Sequence, residues 1–171
     1  TPFAGRGLYL PRLDELFQAL PDAQLNIEIK VEDPRAVQEL VRLIRRFRRE
    51  EHTVCASFFP RQLRRLRRDA PVIATSAHPG DVRRFLMLSR LRVAGLAGNR
   101  VPYLQVPEYH GSLKVVDERF LRDAHRAGRE VHVWTVNEPE EMRRFIGLGI
   151  DGVITDYPAR LASLLPSTEK G

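Results

Sequence analysis

Of 171 residues, one is cysteine, one is tryptophan and three are lysine. The lone Cys55 excludes an internal disulfide framework and a zinc site built on several thiolates. It lies in an apolar, β-branched run with no setting that would lower a thiol pKa, so a buried structural thiol is expected rather than a nucleophile. No run approaches eighteen apolar residues, and no membrane-crossing helix is predicted. No Gly-x-Gly-x-x-Gly or P-loop pattern marks a nucleotide-binding turn. No basic-then-apolar leader opens the chain, whose first residue is Thr1, as in a processed or cut-down polypeptide. The compartment is unreadable on these grounds, with a soluble, cytoplasmic setting as the default expectation.

What is present suits one globular domain, expected over 1–165 with a polar tail at 166–171. Hydrophobic residues make up 43% and charged residues 29%, enough for a real core. The net charge is +6, and the basic residues gather in Val41-Arg-Leu-Ile-Arg-Arg-Phe-Arg-Arg49 and Arg61-Gln-Leu-Arg-Arg-Leu-Arg-Arg68. Apolar residues recur there at helical spacing (Val37, Leu40, Val41, Ile44, Phe47; Leu63, Leu66), and the arginines fill the other faces. That is the pattern of solvated outer helices. A nucleic-acid binder is the rival reading, but no aromatic interleaving supports it, and nucleic acid is not expected as a partner.

Short β-branched runs alternate with amphipathic ones. Strands are predicted at Leu25–Lys30, Thr53–Phe58, Val72–Ala77, Tyr103–Val106, Glu130–Val136 and Gly152–Thr155. Helices are predicted around Leu13–Leu20, from Asp33-Pro34 to about Arg49, from Pro60, from Asp81, from Asp117 to Gly128, from Asn137 to about Gly149, and over Pro158–Leu165. Asp33, Asp81, Asp117 and Asn137 read as N-caps. Such alternation indicates βα units on a parallel sheet, and hence an α/β fold. Two architectures compete, an open doubly wound sheet and a (β/α)8 barrel. Period-two alternation places Asn26, Glu28 and Lys30 on one strand face and Leu25, Ile27 and Ile29 on the other. Central parallel strands are ordinarily apolar on both faces. An inward charged pair therefore favours a barrel with a polar site at its strand ends, and an edge strand wetting one side is the plainer alternative. Six strands are counted where a barrel has eight.

Several segments together resemble the glycerophosphodiester phosphodiesterase family. They are Pro2-Phe3 with Leu10-Pro11-Arg12-Leu13-Asp14-Glu15-Leu16, Glu28-Ile29-Lys30, Ser57-Phe58, Leu104-Gln105-Val106-Pro107, His125-Arg-Ala-Gly128, Val131-His-Val-Trp-Thr-Val-Asn137 and Asp151-Gly-Val-Ile-Thr-Asp156-Tyr-Pro158. Each is weak alone; their order and spacing are specific. The family's opening His-Arg-Gly strand, Glu-x-Asp pair and His-Asp pair do not occur. The resemblance thus implies a partial (β/α)8 barrel of about six βα units with the first two missing, open to self-association or to completion by a separate N-terminal segment. It implies hydrolysis of a small-molecule glycerophosphodiester to glycerol 3-phosphate and an alcohol.

By the same resemblance Glu28 is a ligand of a divalent cation, Ca2+ or Mg2+, Lys30 stabilises charge on the phosphodiester, and Trp134 and Gln105 contact the substrate. The two acid–base histidines of the family belong to the absent motifs. His78 and His110 follow strands and read as solvated loop residues; His132 shares strand parity with Trp134, His125 is helical and His52 precedes a strand. Loss of that pair leaves a second reading open, a non-catalytic barrel remnant serving as a binding or interaction module.

Overall fold

A computed structural model describes residues 5–7, 9–98 and 101–166. Pro2-Phe3 and all of the expected tail beyond Pro166 lie outside the described residues. The chain divides into two compact units, Thr1–Ala74 and Thr75–Gly171, and is α/β throughout.

The first unit runs α1 (Leu13–Ala19), β1 (Leu25–Glu28), α2 (Pro34–Arg46), β2 (Thr53–Ala56), α3 (Pro60–Asp69) and into β3 (Ala74–Thr75). Its strands lie in the order β1-β2-β3, with β1 and β2 parallel and Leu25 opposite Thr53. Val37, Leu40, Val41 and Ile44 give α2 one apolar stripe, which packs with Phe17, Ile29, Cys55 and Leu66. Burying each such side chain contributes ~1.5–3 kcal/mol. Asp33 caps α2 as expected, its Oδ1 accepting from the Arg35 N–H at 2.9 Å.

The second unit runs α4 (Pro79–Arg90), a 3-10 turn (Ala94–Ala97), β4 (Tyr103–Val106), β5 (Tyr109–His110), β6 (Leu113–Lys114), α5 (Glu118–Arg126), β7 (Glu130–Val133), α6 (Pro139–Leu148), β8 (Gly152–Val153) and α7 (Pro158–Ala162). Here β7 lies between β4 and β8, parallel to both. Phe85, Leu104, Val116, Phe120, Val131, Val133, Met142 and Phe145 form its core. The β5–β6 hairpin was not legible as strands. Its loop is only Gly111-Ser112, and Gly111 at φ 61° supplies the positive φ that a tight hairpin requires.

Most strands are shorter than their β-branched runs because the last residues leave the ladder to enter the next helix. Pro34, Pro60, Pro79, Pro139 and Pro158 each open a helix at its first turn. Proline there costs no hydrogen bond and disfavours helical backbone at the preceding residue, which is extended at Asp33, Phe59, His78 and Glu138. Among the described residues no helix is long and apolar enough to cross a membrane.

Expectations at three helix ends are corrected. Asp81 is not the N-cap of α4. His78 is, its Nδ1 accepting from the Gly80 N–H at 2.7 Å and the Asp81 N–H at 3.3 Å, while Asp81 accepts from the His78 N–H in return. His78 is accordingly half-buried and engaged, not a solvated loop residue. Nor does Asn137 cap α6, which starts after Glu138 without a side-chain cap. Third, Arg49, at the end of an arginine run read as solvated, is 3% exposed. Its guanidinium lies 5.9 Å from the Phe17 ring and donates to the Ala23 carbonyl.

Candidate functional site

Glu28 ends β1, and Lys30 lies two residues on, so strand parity turns both side chains to the same face. That face is solvent-facing: Asn26, Glu28 and Lys30 are exposed, while Ile29 is buried. Lys30 Nζ approaches Glu28 Oε2 to 3.4 Å. Among the described residues β1 pairs on one side only, with β2. An exposed ion pair of this kind contributes only ~0.2–1 kcal/mol. Stability therefore gives no reason to keep these two charges at a strand end.

The backbone that carries them is held more firmly than the side chains. The Ile29 N–H donates to the Ala56 carbonyl at 2.8 Å, extending the β1–β2 pairing past Glu28. Ser57, 5% exposed, donates from Oγ to the Ile29 carbonyl at 2.7 Å and accepts from the Phe59 N–H. Gln62, fully buried on α3, donates from Nε2 to the Val31 carbonyl at 2.8 Å and the Asp33 carbonyl at 2.7 Å. Residues 29–33 are thus tied on both sides of Lys30. The sequence held a signal for Gln62, since it is the amide in an arginine-rich helix that falls beside Leu63 and Leu66 on the packed face. Without the fold nothing showed which carbonyls it meets.

A hard cation asks for six to eight oxygen ligands (Ca2+) or a near-regular octahedron (Mg2+). Glu28 offers one carboxylate, and the Lys30 ammonium competes for it. Among the described residues no group of three or more His, Cys, Asp or Glu side chains stands close enough to share an ion. These residues do not by themselves fit the cation that the resemblance implied.

The second unit brings Gln105, His132 and Trp134 onto one face of the β4–β7 pair. Gln105 is opposite His132, and its Nε2 lies 3.4 Å from His132 Nδ1. His132 Nε2 lies 3.4 Å from Glu130 Oε2, and the Tyr103 ring is 5.5 Å away. Burial, then the Glu130 carboxylate, pushes the Tyr103 phenol above its ordinary pKa. On the far side, Gly152 makes room: a Cβ there would sit 2.7 Å from His132 Cδ2. His132 is therefore a clamped residue within the sheet face.

Trp134 leaves β7 half-buried, its N–H donating to the Val106 carbonyl at 3.1 Å; the following peptide bond to Thr135 is cis. The Val136 N–H donates to the Ile154 carbonyl at 3.0 Å. Asn137 then does what no cap does. Its Oδ1 accepts from Thr155 Oγ1 at 3.1 Å and the Asp156 N–H at 3.0 Å, and its Nδ2 donates to Asp156 Oδ2 at 3.0 Å. Arg160 donates to the Asn137 carbonyl at 3.0 Å.

The other histidines are placed as follows. His110 lies on the exposed hairpin. His125 on α5 meets Asp151 Oδ2 at 2.8 Å, an oxygen that also accepts from the Val131 N–H. His52 Nδ1 lies 3.0 Å from Gln24 Nε2.

Comparison with known proteins gives a consistent result. The profile of the glycerophosphoryl diester phosphodiesterase family matches residues 1–160. A protein of Mycobacterium tuberculosis named as a probable glycerophosphodiester phosphodiesterase is 33% identical over 94% of this chain and 62% of its own length. A lysophospholipase D of Rattus norvegicus is 26% identical over 94% of this chain and 58% of its own. The crystal structure of a glycerophosphodiester phosphodiesterase from Agrobacterium tumefaciens superposes with a TM-score of 0.73, covering 95% of this chain and 65% of that one at 18% identity, a likeness of fold. The chain spans about three-fifths of the length of the curated relatives it matches.

Proposed function

Because the chain belongs to the glycerophosphoryl diester phosphodiesterase family, we propose that it serves the hydrolysis of glycerophosphodiesters. Water adds to phosphorus, the ester bond to the alcohol breaks, and glycerol 3-phosphate and the free alcohol leave. The observation that carries this reading is the Glu28–Lys30 pair at a strand's carboxyl end, exposed and on a braced backbone. An ammonium there stabilises negative charge gathering on the phosphoryl oxygens. Glu28 orients it. Trp134 offers an apolar wall to the glycerol side of the substrate, and Gln105 a polar contact. We read the six strands β1, β2, β3, β4, β7 and β8 as parts of a partial (β/α)8 barrel forming one domain over 1–165.

Proton transfer is not assigned to this chain's histidines. His78 spends Nδ1 on a helix cap, His132 is clamped through both nitrogens, and His125 pairs with Asp151. A Ca2+ or Mg2+ ion remains a proposal carried by Glu28, and it needs oxygen ligands from beyond the described residues. The sheet edges support one further proposal: among the described residues β1 and β8 each pair on one side only, and an unpaired edge can take up a strand from another chain.

Turnover of a chromogenic phosphodiester with added Ca2+ or Mg2+ tests the reading. Activity that Glu28→Ala and Lys30→Ala both abolish supports it. The second reading, a non-catalytic binding module, draws on the structural engagement of His78, His125 and His132. It predicts no turnover by the native protein, together with retained binding of glycerol 3-phosphate.

A further inference from the structure

We infer that Asn137 is a positioning residue for Trp134, locking the segment after β7 to the segment after β8. The inference rests on the reading of Trp134 as a substrate wall, and its geometry stands independently. Beyond Val133 the chain loses ladder pairing, yet the next four residues are tied to the segments on both sides. The Trp134 N–H reaches the Val106 carbonyl, on the β4 side. The Val136 N–H reaches the Ile154 carbonyl, on the β8 side, and Val136 is buried. Asn137 makes a further tie through its side chain.

An amide suits this position and a carboxylate does not. Oδ1 faces two donors, the Thr155 hydroxyl and the Asp156 N–H, while Nδ2 faces the Asp156 carboxylate. Turning the amide over would set its N–H groups against the backbone donor and its oxygen against the carboxylate, so the orientation is determined. Aspartate would keep the two accepted bonds and place an anion against Asp156. Alanine would lose all three. Thr155 closes the arrangement by accepting from the Tyr157 N–H at 3.0 Å, and Arg160 clamps from outside, its guanidinium 4.0 Å from the Tyr157 ring. The Thr-Asp-x-Pro close of the chain thereby acts as the socket for the Trp-Thr-Val-Asn segment.

Trp134 is the sole tryptophan, so intrinsic fluorescence of the full chain reads this position directly. In Asn137→Ala and Asn137→Asp we expect the emission to shift to the red and acrylamide quenching to rise. Thr155→Val, which removes one of the two bonds to Asn137 Oδ1 together with the one from the Tyr157 N–H, should give a smaller shift in the same direction. The control is Ser89→Ala, which deletes a 2.6 Å bond from Ser89 Oγ to Asp123 in the same unit; it should lower the thermal midpoint and leave Trp134 unmoved. If the Asn137 and Thr155 variants lose stability while their emission and quenching match those of Ser89→Ala, the positioning role is overturned. A titration of the wild type with glycerol 3-phosphate separates the two ideas. Unchanged Trp134 fluorescence there defeats the substrate-wall reading and leaves the lock intact.

Discussion

At the scale of single residues, the clamp around His132 shows how one missing side chain can be as informative as one present. Gly152 has ordinary room for its backbone, but a methyl group would meet the imidazole ring. Gly152→Ala should therefore destabilise by ~1–3 kcal/mol through overpacking. Urea denaturation would show it, and His132→Ala in the same chain should recover much of the loss, since the two sites are in contact.

Cys55 makes a second prediction. Desolvation pushes its thiol up to about 12 from the ordinary value of 9.0. Between those values the folded chain keeps a proton that the unfolded chain has released, so this group's contribution to stability is whole below about pH 9 and declines as the pH rises toward 12. The difference in thermal midpoint between wild type and Cys55→Ala should shrink or reverse across that window, and the native thiol should resist alkylating reagents at neutral pH.

Among the described residues Arg49 and Arg129 are buried arginines. Each donates to a backbone carbonyl, Ala23 and Gly98 respectively, and lies against a phenylalanine ring, that of Arg129 at 4.7 Å. Burial lowers the pKa of Arg129. The arginine runs looked uniformly solvated because helical periodicity describes faces, and Arg49 falls after the end of its helix.

At the scale of elements, the joints between strands and helices carry the candidate site. Gln62 serves the exit of β1 as Asn137 serves the exit of β7: a side-chain amide supplies bonds that the ladder no longer makes. Gln62→Ala leaves the Val31 and Asp33 carbonyls without their donor, at a cost of ~1–3 kcal/mol. Amide exchange of residues 29–35 should accelerate more than that of α2's interior; uniform acceleration would argue against a local brace. The misplaced caps belong to this scale too. Asp81 and Asn137 both have the right side chain in the right neighbourhood of a helix start. In each case a competitor won: the His78 ring reached the first-turn N–H groups, and the loop after β8 presented better partners to Asn137 than its own helix did.

For the whole molecule, charge and edges are the governing quantities. The net charge of +6 favours solubility at neutral pH. The single-sided pairing of β1 and β8 among the described residues works in the other direction, because unpaired backbone N–H and C=O groups template association. Light scattering of the chain alone should report dimers or larger species, increasing with concentration; a monodisperse monomer would end that proposal.

What the sequence alone determined is local and periodic. The α/β alternation, the six principal strands, the stripe on α2, the cap at Asp33 and the shared face of Glu28 and Lys30 all follow from side-chain spacing that any short peptide of this sequence would display. Its ordered motifs also carried the family. The tertiary structure alone decided which side chains meet across elements: Gln62 with the carbonyls beyond β1, His132 with Gln105 and the space at Gly152, Asn137 with Thr155 and Asp156. Those contacts join residues between 18 and 31 positions apart, and a side chain's donors and acceptors name no partner until folding brings one within 3 Å or so.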